Sequence, residues 1–270
     1  MTTDSAPRLV TLQVLDMVGT LRLCRAEKMN AFSADMHAQL RECLVECAAL
    51  AATGRLRVLV MTGEGRAFSA GQDLNERRRA PGEPPPDLGR AVRENYNVAI
   101  QRIVQLPVPV IAAVNGVAAG AGLGLALACD LLIAARSATF VASFSRVGLG
   151  VDSAVGWFLQ RLVGAARARA MILLAESVPA DEALRLGIAN RVVEDGELQS
   201  TVAELAAQLA RGPTRAYALQ KASLAGGWSR TLSEQLEHEA QSQDVAGRTA
   251  DYREGVDAFL SRRLPLFTGE

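Results

Sequence analysis

Apolar positions come in short β-branched or alternating runs through the first half of the chain and at helical spacing through the second. Leu9 to Leu15 and Thr20 to Cys24 predict two paired strands joined through Asp16 to Gly19. Met36, Leu40, Leu44, Cys47 and Leu50 share one helical face, which predicts a helix to about Thr53 capped by Asn30 or Ser33. Val58 to Thr62 and Val110 to Val114 read as buried strands. Between them, Pro81, Gly82, Pro84, Pro85 and Pro86 forbid regular structure over 80–87 and predict a loop. A helix from about Gly89 to Gln105 follows, ended by Pro107 and Pro109. Strand and helix alternate with connections long enough for crossovers, so the fold class is α/β with a largely parallel sheet.

Beyond Val151 the spacing becomes helical. Ala154–Val163, Ala165–Ala175, Ala180–Leu186, Glu197–Ala210, Pro213–Ala225, Leu232–Ala246 and Tyr252–Arg263 read as helices, with 188–193 a short extended stretch. Pro179 and Gly187 bracket one of these helices at the ends where each residue is favoured. The division this suggests is a core over 1–200 and a helical region over 201–270. No internal repeat is visible.

Composition narrows the function. The chain has 270 residues, 49% hydrophobic and 21% charged, enough for one large core with an appendage. Lys plus Arg and Asp plus Glu are 29 each, so no global field favours nucleic acid or an anionic membrane as partner. The first residues, Met1 to Pro7, are polar and lack an apolar signal core, and no apolar run has membrane-spanning length; the expected location is cytoplasmic. Cys24, Cys43, Cys47 and Cys129 read as reduced structural thiols, and His37 and His238 fall within helical patterns. No ligand spacing points to a metal.

The chemistry is concentrated in two stretches rich in small residues, Ala67-Phe68-Ser69-Ala70-Gly71-Gln72-Asp73-Leu74 and Val114-Asn115-Gly116-Val117-Ala118-Ala119-Gly120-Ala121-Gly122-Leu123-Gly124. Each follows a strand, and each lets backbone approach a ligand closely. One main-chain amide from each could hold the oxygen of a thioester while charge develops on it. Other readings fit less well. Gly120, Gly122 and Gly124 do not have the G-x-G-x-x-G spacing of a dinucleotide site, and no Gly-Lys-Ser/Thr occurs. Ala67-Phe68-Ser69-Ala70-Gly71 misses the nucleophile elbow by one residue, and a hydrolase would need a base that His238, mid-helix, does not supply.

These two stretches, with Arg25-Ala26-Glu27-Lys28-Met29-Asn30-Ala31 and Pro179-Ala180-Asp181-Glu182-Ala183, resemble the enoyl-CoA hydratase/isomerase, or crotonase, superfamily over residues 9–265. The resemblance implies a spiral of ββα turns with a C-terminal helical trimerisation region, a homotrimer or dimer of trimers, and an acyl-CoA substrate. It implies no separate cofactor, coenzyme A being part of the substrate. By the same resemblance the N–H groups of Gln72 and Ala121 form the oxyanion hole. Ala70, Gly71, Asp73, Gly120 and Phe144 lie along the substrate, and Arg25 and Lys28 meet the CoA phosphates. Arg262, Arg263 and the run Arg77-Arg78-Arg79 are further basic candidates.

Hydratases of this superfamily flank a water with two glutamates; here Gly124 and Phe144 stand in those places, and neither can move a proton. Asp152 is the acidic residue left. Its bland role is a helix cap; in this context it matches the aspartate of certain isomerases and dehalogenases. Phe140, Phe144, Trp157 and Phe158 are expected to line an apolar pocket that raises its pKa. Phe68 to Arg77, Ala246 to Val256 and Phe267-Thr268-Gly269 resemble the 2-(1,2-epoxy-1,2-dihydrophenyl)acetyl-CoA isomerases of phenylacetate breakdown. The residues around Asp152 depart from that group: Val151 precedes it where a proline is usual, and Ala154-Val155 follow where a glycine pair is usual. The expected activity is therefore acyl-CoA isomerisation, of a ring epoxide or of a 3-enoyl to a 2-enoyl chain. An atypical hydratase, a 4-chlorobenzoyl-CoA-type dehalogenase and a non-catalytic acyl-CoA-binding scaffold are the alternatives.

Overall fold

The computed structural model describes residues 8–270, so the polar segment Met1 to Pro7 lies outside the described residues. The chain opens with a hairpin, β1 (Val10–Leu15) and β2 (Val18–Leu23), paired Val10 with Leu23 through Leu15 with Val18. Asp16 and Met17 both take left-handed φ, 49° and 64°, giving the tight two-residue turn whose twist matches the strands. That is why the second strand starts at Val18 and not at Thr20. Helix α1 (Ala34–Ala52) begins at Ser33, whose side chain accepts from the Met36 N–H. Asn30, the other candidate cap, is instead fully buried in a left-handed turn at φ 55°.

Three ββα turns follow. β3 (Val58–Gly63) leads to β4 (Ala67–Ser69), β5 (Val110–Val114) to β6 (Val117–Ala119), and β7 (Leu131–Ala135) to β8 (Thr139–Val141). The first turn is closed by a helix built of α2 (Leu88–Ala91), a π turn (Val92–Tyr96) and α3 (Asn97–Gln105). The second is closed by α4 (Ala121–Leu127) and the third by α5 (Val155–Leu174), broken at Gly164 (φ 76°) where the sequence predicts two helices. β9 (Val178–Pro179), α6 (Ala180–Arg185) and β10 (Arg191–Val193) complete the sheets. One sheet is six-stranded in the order β1-β2-β3-β5-β7-β10, parallel from β2 onward; the other has the order β4-β6-β8-β9. This is the expected spiral.

Period two then sorts the strands. Leu59 and Met61 of β3 face a core packed by α1, α3 and α4, whereas Val58 and Val60 face α7 (Leu198–Ala210) through Leu198, Val202, Ala206 and Ala210. α7 is thus part of the core, which continues past residue 200 to Ala210. α8 (Thr214–Gly227) and α9 (Leu232–Ala246) bury no residue at all, and α10 (Ala250–Leu260) buries only Asp251 and Ala258. Two polar clamps hold α8 and the C-terminal segment to the core. Lys221 Nζ donates to Asp130 Oδ2 at 2.7 Å and to the Ile103 and Val108 carbonyls at 3.1 and 3.3 Å. Arg57, buried, donates to the Thr214 hydroxyl and to the carbonyls of Gly212 and Phe267. Among the described residues no helix is long and apolar enough to cross a membrane.

Candidate active site

Parallel pairing of β4 with β6 brings the two small-residue stretches side by side. Gly71 (φ 88°) and Gly120 (φ 52°) both need the left-handed half of φ space, and each immediately precedes a residue of interest, Gln72 and Ala121. A Cβ on Gly71 would stand 2.8 Å from the Ala119 carbonyl oxygen and 3.3 Å from the Ala121 nitrogen. One on Gly122 would stand 2.4 Å from the Ser69 carbonyl oxygen. The two backbones touch only because neither residue has a side chain. Ala121 opens α4, where the first N–H groups lack intrahelical acceptors and the helix dipole favours negative charge. Among the described residues, neither the Gln72 nor the Ala121 N–H donates to a protein acceptor.

Asp152 lines a cavity of about 410 Å³, together with Gln72. Leu74, Leu88, Val92, Leu149 and Val151 make its apolar wall, and Arg77, Arg93, Tyr96 and Asn97 its polar part. Burial pushes the Asp152 carboxyl above the usual carboxylate range, against the Ser153 hydroxyl and the Arg77 charge, which pull it down. The aromatic pocket expected around Asp152 is not there. Phe140 and Phe144 are buried in the main core, while Trp157 is exposed and packs edge-to-face on Phe158. None of these four aromatics lines the cavity; its wall comes from Leu149 and Val151 beside Asp152 and from the segments after Asp73 and Asp87.

Gln72 is tied on both ends. Its Oε1 accepts from the Tyr96 hydroxyl at 2.9 Å and from Arg77 at 3.0 Å, and its Nε2 donates to the Phe32 carbonyl at 2.9 Å. Tyr96 ends the π turn, and such single-turn bulges redirect side chains. His37, buried, stacks on Phe32 at 5.0 Å and meets the edge of Tyr96 at 4.5 Å. Burial, with the Arg41 and Arg77 charges, lowers its pKa from 6.5 to about 4. A histidine depressed on folding stabilises the fold above its unfolded pKa, and that contribution is lost as pH falls from 6.5 toward 4. His37→Phe, which keeps the stack, is expected to flatten the decline in melting temperature over that window by about 5 °C. Thermal melts across the pH series check it.

Several candidates make contacts within the protein. Arg25 Nη1 pairs with Asp73 Oδ2 at 2.8 Å and donates to the Ala31 carbonyl, binding the early loop beneath Gln72. Burial alone would raise the Asp73 carboxyl, yet the Asn75 N–H and Arg25 hold it below its ordinary value. Asn30, read in the sequence as a possible cap and as part of the stretch Arg25 to Ala31, donates to the Glu64 and Ala67 carbonyls and accepts from the Arg25 N–H, joining three segments. Ser69, fully buried, donates to the Asn30 carbonyl and accepts from the Gly71 N–H, a bracing role and not a nucleophile's. Phe144 lies in the core and outside the cavity around Asp152. Lys28 is exposed, Ala70 half-buried, Gly120 buried beside Ala121, and Arg263 pairs with Glu254. Burial pushes the Cys47 thiol up to about 12 and the Cys129 thiol higher still, which disfavours their reactive thiolates.

Comparison with known proteins identifies the family. Residues 15–270 match the family Enoyl-CoA hydratase/isomerase. The chain is 48% identical to 1,2-epoxyphenylacetyl-CoA isomerase of Escherichia coli (strain K12), over 94% of this chain and 95% of that protein. It is 44% identical to a protein described as "Probable enoyl-CoA hydratase" from Rhodobacter capsulatus, over 96% and 98% of the two chains. Among solved structures, an enoyl-CoA hydratase from Bacillus anthracis superposes with a TM-score of 0.90 at 31% identity, covering 97% of this chain and all of that one.

Proposed function

The chain belongs to the enoyl-CoA hydratase/isomerase, or crotonase, family and is an acyl-CoA isomerase or hydratase, and within that range we propose isomerisation with Asp152 as the single acid/base. The Asp152 carboxylate takes a proton from the carbon next to the thioester. The N–H groups of Gln72 and Ala121 hold the enolate oxygen, and the proton returns from Asp152 to another carbon, in the ring-epoxide case once the ring has opened. One observation carries the choice over hydration. At Gly124, where hydratases place their first glutamate, a Cβ would stand 2.5 Å from both the Cβ and the carbonyl oxygen of Ser153. The turn that presents Asp152 occupies the space a glutamate would need.

The acyl group sits in the cavity beside Asp152. Its apolar wall suits a ring or a chain, while Arg77, Arg93, Tyr96 and Asn97 suit an acyl group carrying an oxygen. That combination, with the name of the Escherichia coli relative, favours a ring epoxide of phenylacetyl-CoA over a plain enoyl chain. Turnover of both substrate classes, compared as kcat/KM, tests it. A preference of at least about 10-fold for the oxygenated ring is expected, and a preference for the plain enoyl chain refutes it.

The assembly we propose is a homotrimer or dimer of trimers built through the C-terminal helices. Leu224, Trp228, Leu232 and Leu236 are each more than half exposed, and so are Phe259 and Leu260. A groove of about 850 Å³ runs among α8, α9 and α10. Apolar faces this extensive are normally covered. Sedimentation equilibrium is expected to give three or six chains for the wild type, with Leu224→Glu combined with Phe259→Glu shifting the mass toward one chain.

A further inference from the structure

The turn that carries Asp152 is strained in a way the helix it starts does not require. Ser153 and Ala154 both take left-handed φ, 51° and 57°, immediately before α5. A residue with a Cβ is strained there, and such strain persists only where surrounding contacts over-determine it. The contacts are specific. Ser153 is 1% exposed, and its hydroxyl donates to Asp152 Oδ1 at 2.7 Å. Its Cβ and carbonyl oxygen rest directly against Gly124, leaving no room for any side chain there. The Asp152 carbonyl accepts from the Val155 N–H at 3.0 Å and closes the turn.

We infer that Ser153 is a positioning residue for Asp152: its hydroxyl holds Oδ1, leaving Oδ2 as the oxygen that exchanges the substrate proton, and Gly124 supplies the space that lets it do so. This rests on Asp152 being the acid/base. The strain has then a chemical return, because a carboxylate held by one oxygen presents the other at a fixed angle and distance to the substrate carbon. A glycine at position 153 would relieve the backbone but could not hold the carboxylate.

The charged and titratable groups facing Asp152 are few. Arg77 comes from the short turn Leu74–Arg77, and Tyr96 and Arg93 come from the π turn across the cavity. Ser153 and Arg77 both favour the charged form of Asp152. Removing the Ser153 hydroxyl is therefore expected to move the acid limb of the rate profile to higher pH, since the base must be ionised to act.

The test compares wild type, Ser153→Gly, Ser153→Ala and Asp152→Asn, following kcat, KM and the pH profile of 3-enoyl-CoA isomerisation together with the melting temperature. Ser153→Gly is expected to melt at or above the wild type while kcat falls about 10-fold or more, KM changes less than about 2-fold, and the acid limb moves up. Ser153→Ala should lose activity in the same way without the gain in stability. A purely structural serine would lower the melting temperature and leave the pH profile in place, which overturns the inference. Wild-type kcat and acid limb in both serine variants, with Asp152→Asn inactive, would refute the role of Ser153 and leave that of Asp152 standing. Activity surviving in Asp152→Asn would refute both.

Discussion

Asp152→Asn is expected to lower kcat for isomerisation by about 10³-fold, with KM little changed. Asparagine has the size of aspartate and keeps an oxygen for the Ser153 hydroxyl, so the turn before α5 is preserved and only the ionisable oxygen is lost. The binding contacts of the cavity are untouched, which is why the loss falls on kcat. The same substitution should not destabilise the protein. Burial raises the Asp152 pKa on folding, so its contribution to stability is full below the unfolded pKa and is lost as pH rises through the folded one. Above that folded pKa the ionised carboxylate is a liability that asparagine removes, and there the variant is expected to melt at or above the wild type. Absorbance of the conjugated thioester reports isomerisation, with 2-enoyl-CoA hydration measured alongside. Hydration that is substantial and survives the mutation would overturn the isomerase reading and require another group to activate water.

Gly71→Ala should damage both the fold and the chemistry. The position sits at φ 88°, where a side chain is strained, and its Cβ would press on the Ala119 carbonyl oxygen and the Ala121 nitrogen. Relief requires β4 and the start of α4 to separate, which pulls apart the Gln72 and Ala121 amides. A stability loss of about 2–3 kcal/mol is expected from overpacking with backbone strain. A fall in kcat of about 10²–10³-fold is expected from losing one aligned donor. Denaturant unfolding and steady-state kinetics check the two effects separately. Wild-type kcat in a folded Gly71→Ala protein would remove the paired amides from the mechanism.

The buried strands Val58–Gly63 and Val110–Val114 were legible because a short, mostly apolar run rich in β-branched residues between glycine or proline signals leaves few alternatives. The break at Gly164 and the cap at Ser33 follow from residue types whose backbone or side-chain preference is local. The second sheet was harder to see, because β4, β6, β8 and β9 have two or three residues each, too few to show a period. The ββα repeat is likewise a repeat of geometry without a repeat of sequence. The π turn at Val92–Tyr96 was invisible for a related reason: its composition is that of an ordinary helix, and only the bond pattern distinguishes it.

The sequence by itself determined the family resemblance, the two small-residue stretches that can approach a ligand, and the absence of glutamate at positions 124 and 144. Those depend on residue identity and on steric freedom that each residue carries with it. Only the tertiary structure decided which side chains meet. It joined Arg25 to Asp73, placed Arg77 and Tyr96 on Gln72, and lined the cavity at Asp152 with residues from the segments after Asp73 and Asp87, beside Leu149 and Val151, in place of the nearby aromatics. The physical reason is that a cavity wall is assembled by chain crossings dozens of residues apart. Neighbours in sequence are assigned to opposite faces by a helix phase that local pattern does not tie to the site.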